Sequence, residues 1–171
     1  GNAGGLVEQA VEVCDMFLRG GLIIAQKSRH RELERMEEAK PTVLLGAEVP
    51  VVVLVDEATA SAAEIVAGAL QANGRATLVG TRTVGKGSVT KVVELPDGSG
   101  LTVTVSHYLL AGGEMIDGKG LKPDVVVGEL PPVPEERTAE NIEHWRQLYE
   151  KCKADQLARG IQILKDKVGA H

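Results

Sequence analysis

The sequence predicts an α/β fold. Three observations carry that expectation: an apolar strand that runs into a helix and then a second apolar strand between residues 51 and 80, two alternating segments around the turn Pro-Asp-Gly-Ser-Gly at 96–100, and helical periodicity at both ends of the chain. With 171 residues, 43% of them hydrophobic and 25% charged, the chain can bury one sizeable core. Aromatic residues make up only 2%, so that core is left to Val, Leu, Ile and Ala.

Taken in order, GLVEQAVEVCDMFL at 5–18 has apolar residues three and four apart and reads as an amphipathic helix closed by Gly20 and Gly21. LIIAQ at 22–26 comes next as a short strand. Residues 27–40 are charged and free of aromatics, which predicts a solvated hairpin or a helical excursion. VVVLV at 51–55 predicts a buried strand, followed by a short turn and a helix to about Asn73 and Gly74. ATLVG at 76–80 closes a strand-helix-strand unit with parallel pairing. SVTKVVEL and LTVTVSHYLL alternate with period two on either side of the 96–100 turn and predict a β-hairpin. GLKPDVVV adds a short last strand, and helices come after a Pro-rich linker, PPVP, from Glu135 onward. The division expected is a core over 1–130 and linker plus C-terminal helices over 131–171.

Charge and composition narrow the function. A net charge of −5 with scattered basic residues gives no electrostatic footprint for nucleic acid. No apolar run approaches the roughly 20 residues that a membrane-spanning helix needs. The chain begins at Gly1 rather than Met, which predicts that upstream sequence, with any targeting segment, has been removed. Cys14 and Cys152 have no Cys or His at metal-ligand spacing, and no cofactor or metal is expected. Cys14 shares the stripe Val7, Ala10, Cys14, Phe17 and reads as a buried thiol.

LVGTRTVGKGS at 78–88 nearly spells a phosphate-binding loop, with Gly80, Gly85 and Lys86 correctly spaced. Gly87 stands where the magnesium-binding hydroxyl belongs, and the hairpin expected after Lys86 replaces the helix whose amides would hold phosphates. The nucleotide reading fails on both counts.

DEATASAAE puts Ser61 where a strand hands over to a helix, next to amides that could stabilise an oxyanion. The same residue, with Glu64 three positions on, also spells a capping box. A nucleophilic serine needs a base. His30 lies in the charged excursion, and His144 and His171 lie on or after the C-terminal helices, where solvated positions are expected. His107 stands at a strand end with no evident Asp partner for a Ser-His-Asp triad. Lys86 remains, between two glycines; it is either a base, which must be uncharged to accept a proton, or an ordinary exposed loop lysine. These residues alone leave both pairs of alternatives open.

Together, NAGGLVEQAVEV, VVVLVDEATASAAEIVAGALQANGRATLVGTRTVGKGSV, LPDGSGLTVTVSHYLLAGGEMIDGKGLKPDVVV and DQLARGIQIL resemble, in matching order, the catalytic core of the carboxyl-terminal processing peptidases, or tail-specific proteases. The spacing also agrees, with Lys86 25 positions after Ser61. The resemblance implies a ClpP/crotonase-like α/β core and a Ser-Lys dyad, with Ser61 the nucleophile and Lys86 the general base. It implies an oxyanion hole from the amides of Ala62 and Gly5, with Gly4 the second choice. It further implies protein or peptide C-termini as substrates, a PDZ module outside this chain, no nucleic-acid partner, and work outside the cytoplasm, in a bacterial cell envelope or periplasm or a chloroplast lumen. The chain departs from the family at Thr90, where a Gln usually helps orient the lysine, at Val84 in place of Phe, and at Asp56 in place of Asn. The strand that normally precedes N-x-G-G is also missing, as in a piece of a larger protease. A catalytically silent scaffold of the same fold is the alternative; an acyl-CoA enzyme of the wider fold class would give Lys86 no task.

Overall fold

A computed structural model describes residues 1–28, 35–40, 44–129 and 131–169. Its elements are α1 (Val7–Asp15), β1 (Leu22–Ser28), β2 (Arg35–Glu38), β3 (Val51–Val55), α2 (Ala62–Ala72), β4 (Ala76–Gly80), β5 (Ser88–Glu94), β6 (Gly100–Leu109), β7 (Val125–Val126) and α3 (Ala139–Gly169). The mixed α/β class expected from sequence is the one observed. Among the described residues there are two sheets, one in the order β2-β1-β6-β5 and one in the order β3-β4-β7.

The strand-helix-strand unit is present, and β3 and β4 pair in parallel from Val51 opposite Ala76 to Val55 opposite Gly80. β3 is less buried than its unbroken apolar run predicts: only Val55 is fully covered, and Leu54 is 41% exposed. The reason is position, since among the described residues β3 is an edge strand, with β4 on one flank only. β7 joins β4 in parallel.

β5 and β6 form the expected antiparallel hairpin, and β6 also pairs with β1. Lys86 is therefore succeeded by a strand, not by the helix that a phosphate-binding loop requires. In the charged stretch 27–40 the hairpin alternative holds over the described part, with β2 antiparallel to β1; residues 29–34, His30 among them, lie outside the described residues.

Both terminal helices differ in extent from the sequence expectation. α1 is shorter, because Gly4 and Gly5 belong to a turn before it and Met16 and Phe17 close it with turn bonds to Val13 and Cys14. The C-terminal segment is one helix of 31 residues rather than several. It packs on the second sheet through Gly160, where a Cβ would stand 3.2 Å from Leu54 and 3.3 Å from Val52. Gln156 donates to Val127 O at 3.1 Å, and Lys167 Nζ to Thr77 Oγ1 at 2.9 Å.

The core lies on either side of α2. Ala62, Ile65, Ala69 and Leu70 pack with Ala10, Cys14, Leu18, Ile23, Ile24 and Tyr108, while Ala67 joins Val55, Leu78, Leu110, Ile116 and Leu121. Burial around most of its circumference explains why α2 carries almost no polar residue. Burying Ile65 or Leu70 alone contributes about 1.5–3 kcal/mol, which fixes the helix whose first turn is the site.

Candidate active site

Ser61 stands at the head of α2 with φ of 56° and ψ of −125°, and among the described residues it is the only non-glycine with positive φ. Ordinary N-cap residues are extended, so capping alone does not account for this backbone. A side-chain-bearing residue held there costs about 1–3 kcal/mol. Two approaches impose it. Asn2 O accepts the Ala60 N–H at 2.9 Å, docking the N-terminal turn on the elbow. Gly4, at φ +95°, comes so close that a Cβ there would stand 2.8 Å from Ser61 Cβ and 2.9 Å from Ala62 N. Only glycine fits.

The turn beneath the elbow is an Asx-type loop. Asp56 Oδ1 accepts from the Ala58 amide at 3.0 Å and the Thr59 hydroxyl at 3.1 Å, and Thr59 Oγ1 accepts the Asp56 N–H at 3.0 Å. A carboxylate oxygen does here what the side-chain oxygen of the family's Asn could also do.

Glu64 makes the capping-box contact to Ser61, whose N–H donates to Oε2 at 2.9 Å. It does much more. Oε2 also accepts the Lys86 N–H at 2.8 Å, while Oε1 accepts the Gly85 N–H at 2.7 Å and the Thr83 hydroxyl at 2.5 Å. The carboxylate is fully buried. Ser61 and Lys86 thus hang from one oxygen atom, and their backbone nitrogens lie within the span of two hydrogen bonds. The sequence marks Glu64 as a cap and hides this second task, because its partners are 19 to 22 residues away.

The Lys86 side chain is exposed, and its ammonium makes no hydrogen bond or ion pair with a described residue. Thr90 is exposed on β5, paired with Thr104 across the hairpin, and its hydroxyl makes no bond to Lys86. The two amides expected to face an oxyanion are both open: neither Ala62 N–H nor Gly5 N–H donates to a described residue. Gly4 N–H, the second choice, is taken by Asn2 Oδ1 at 2.9 Å. A cavity of about 220 Å³ opens beside them, lined by Gly5, Leu6, Gln9, Ala62 and Val66 among others.

His107 corrects the sequence reading. It does have an acidic partner, with Nδ1 lying 3.0 Å from Asp117 Oδ2. Its place opposite Ser88 sets it beside the Lys86 loop. Cys14 is fully buried, as the helical stripe predicts; burial and then the neighbouring Asp15 carboxylate push its thiol up to about 12.

These elements define an α/β fold with a strained serine at a helix head and a lysine loop tied to the same carboxylate. Residues 1–127 match peptidase family S41, and the chain belongs to that family. It is 42% identical over 134 residues to a carboxy-terminal-processing protease of Bartonella bacilliformis, a match covering 78% of this chain and 30% of that protein. A chloroplastic carboxyl-terminal-processing peptidase 1 of Arabidopsis thaliana is 41% identical over 126 residues, covering 72% of this chain and 25% of that one. Among solved structures, a photosystem II D1 C-terminal processing protease superposes with a TM-score of 0.70 at 38% identity, over 76% of this chain and 34% of that one. The chain therefore spans less than a third of the length of these curated relatives.

Proposed function

We propose that this chain carries the catalytic core of a serine peptidase that cleaves peptide bonds near protein C-termini through a Ser61–Lys86 dyad. The observation that carries the reading is the backbone of Ser61, left-handed at a helix head beside two open amides and tied through Glu64 to the Lys86 loop. Ser61 Oγ forms the bond to the scissile carbonyl carbon as its proton passes to Lys86 Nζ. The developing oxyanion lies against the amides of Ala62 and Gly5, worth about 3–4 kcal/mol per donor in comparable sites. Breaking the C–N bond returns the proton to the leaving amine. Water then repeats the sequence on the acyl-enzyme with Lys86 again as base.

Lys86 is exposed in the described residues, and this reading requires that it be covered from water while substrate is bound. The substrate class is protein C-termini presented as flexible peptide. The wider reading has residues 1–130 as the catalytic core and 131–171 as linker and C-terminal helix, a PDZ module in the same protein, and action outside the cytoplasm. A serine-directed phosphonate tests the nucleophile directly. Stoichiometric labelling at Ser61, lost in Ser61→Ala, is the expected result; an unlabelled Ser61 in a protein that hydrolyses peptide removes it from the mechanism.

A further inference from the structure

Glu64 holds only one side of the Lys86 loop. On the other side Gly87 N–H donates to Asp117 Oδ1 at 3.1 Å, so the consecutive amides of Gly85, Lys86 and Gly87 all end on carboxylates. The carbonyls flanking Lys86 are tied as well: Gly118 N–H donates to Gly85 O at 2.8 Å and Tyr108 N–H to Gly87 O at 2.7 Å. The loop lies directly on the 116–120 turn. A Cβ at Gly87 would stand 2.7 Å from the Asp117 nitrogen, and one at Gly85 2.5 Å from the Gly120 nitrogen.

Asp117 is itself held in place. Its second oxygen faces His107 Nδ1 at 3.0 Å. That nitrogen is buried and aligned with no acceptor, so the contact is a close approach of the two side chains rather than a directed hydrogen bond. His107 lies opposite Ser88 on β5 and Lys27 on β1, and paired residues share a face, which sets Lys27 as the cation beside it. Asp117 is thus clamped between a backbone amide next to Lys86 and an imidazole on the neighbouring strand.

We propose that Asp117, backed by His107, is a positioning residue for the lysine base, acting through the Gly87 amide. The inference rests on the Ser61–Lys86 reading. A lysine reaches its target on a long flexible stem, so a small rotation of its own backbone becomes a large displacement of Nζ. Freezing the backbone on both sides limits that displacement, and a misplacement of about 1 Å costs on the order of a hundredfold in rate. Two carboxylates bring the loop to one geometry where either alone would leave a hinge at Gly85 or Gly87.

The experiment compares Asp117→Ala, Asp117→Asn, His107→Gln and Ser61→Ala in steady-state hydrolysis of one unstructured peptide with a free carboxyl terminus. Asp117→Ala is expected to lower kcat about tenfold with KM within about twofold, because base placement and not substrate affinity is lost. Asp117→Asn, whose amide oxygen can still accept from Gly87, should recover at least about a third of the wild-type kcat. His107→Gln should lower kcat about threefold with KM unchanged, and it carries the test if thermal melting shows Asp117→Ala unfolded. Wild-type kcat in a folded Asp117→Ala or in His107→Gln overturns the proposal, as does Asp117→Asn falling as far as Asp117→Ala. If Ser61→Ala alone is inactive in that case, the dyad reading stands without the clamp. Hydrolysis retained in Ser61→Ala takes down both.

Discussion

At the head of α2, the hydrogen bonds of the Ser61 turn come mostly from near neighbours, Glu64 three residues on and the Asx turn of Asp56 and Thr59 just before it, with the Asn2–Gly4 turn docked against them. Lys86 is placed by strangers. The bonds that fix its loop come from Glu64, 22 residues upstream, and Asp117, 30 residues beyond Gly87. The first arrangement stores strain in one residue with φ of 56°, and the second spreads restraint over five backbone groups of a relaxed glycine loop. Reactivity at the elbow depends on one side chain and one conformation. At the loop it depends on how well two carboxylates agree.

The contrast between the two regions breaks most sharply at Ser61. If Ser61 is the nucleophile proposed above, Ser61→Ala should reduce peptide hydrolysis to background, measured as steady-state turnover. Ser61→Gly should be equally inactive yet no less heat-stable than wild type, since glycine adopts positive φ without the cost of about 1 kcal/mol or more carried by serine. A drop in melting temperature for Ser61→Gly would show that the elbow is not strained. Lys86→Arg is the matching test at the loop. The backbone bonds to Glu64 survive, but guanidinium keeps its proton, so turnover should vanish with the fold intact. Retained hydrolysis would remove Lys86 as the base.

Cys14 asks whether the elbow's footing is closed to solvent. It packs in the same cluster as Ala62 and Ile65. With its thiol pushed from the ordinary 9.0 to about 12 by burial and by Asp15, its thiolate at pH 8 is about a thousandfold scarcer than that of an ordinary cysteine. A thiol reagent at pH 8 should therefore modify the half-buried Cys152 and leave Cys14 unlabelled until the protein unfolds. The raised value also means that Cys14 favours the folded state at all pH below its unfolded value, and that this contribution falls away as pH climbs through the interval up to about 12. Rapid native labelling of Cys14 would mean that α1 opens from α2.

Both regions depend on Glu64. In Glu64→Gln one end of the side chain becomes an NH₂ group, which must face at least one backbone N–H from Ser61, Lys86 or Gly85 whichever way the amide is turned. We expect a loss of about 2 kcal/mol in chemical denaturation and a roughly tenfold fall in kcat. Stability lost with kcat preserved would show that elbow and loop do not need their shared oxygen.

The part of this site that the sequence discloses is the part built from near neighbours. S-x-x-E at 61–64 is readable because a helix repeats every few residues, and the strand-helix-strand unit because β3, α2 and β4 succeed one another without interruption. The role proposed for Lys86 is legible only through family resemblance, since nothing local marks a lysine between glycines as anything but a loop residue. The Thr83, Gly85 and Lys86 contacts of Glu64 arise only when the loop after β4 returns to the head of α2, and the pairing of His107 with Asp117 only when β6 meets the 116–120 turn. The single length of α3 is hidden for a different reason: the helix has few buried positions, Gln156 and Gly160 among them, so its apolar periodicity is weak.

The smallest effect is expected at Thr90, exposed on β5 four residues after Lys86 and paired with Thr104. Family resemblance sets an orienting Gln at this position, yet the Thr90 hydroxyl makes no bond to Lys86. If Glu64 and Asp117 already fix the loop, the missing Gln is a matter of one hydrogen bond to the amine, worth about 1 kcal/mol or roughly a fivefold change in rate. Thr90→Val should then turn over peptide at the wild-type rate, because the hydroxyl that it removes is unused. Thr90→Gln should gain up to about fivefold by reaching Nζ with a longer carbonyl arm. Steady-state rates on one peptide decide the matter. A gain well above fivefold would mean that the carboxylates leave Lys86 poorly aimed, and a large loss in Thr90→Val would mean that the hydroxyl reaches the amine once substrate is bound.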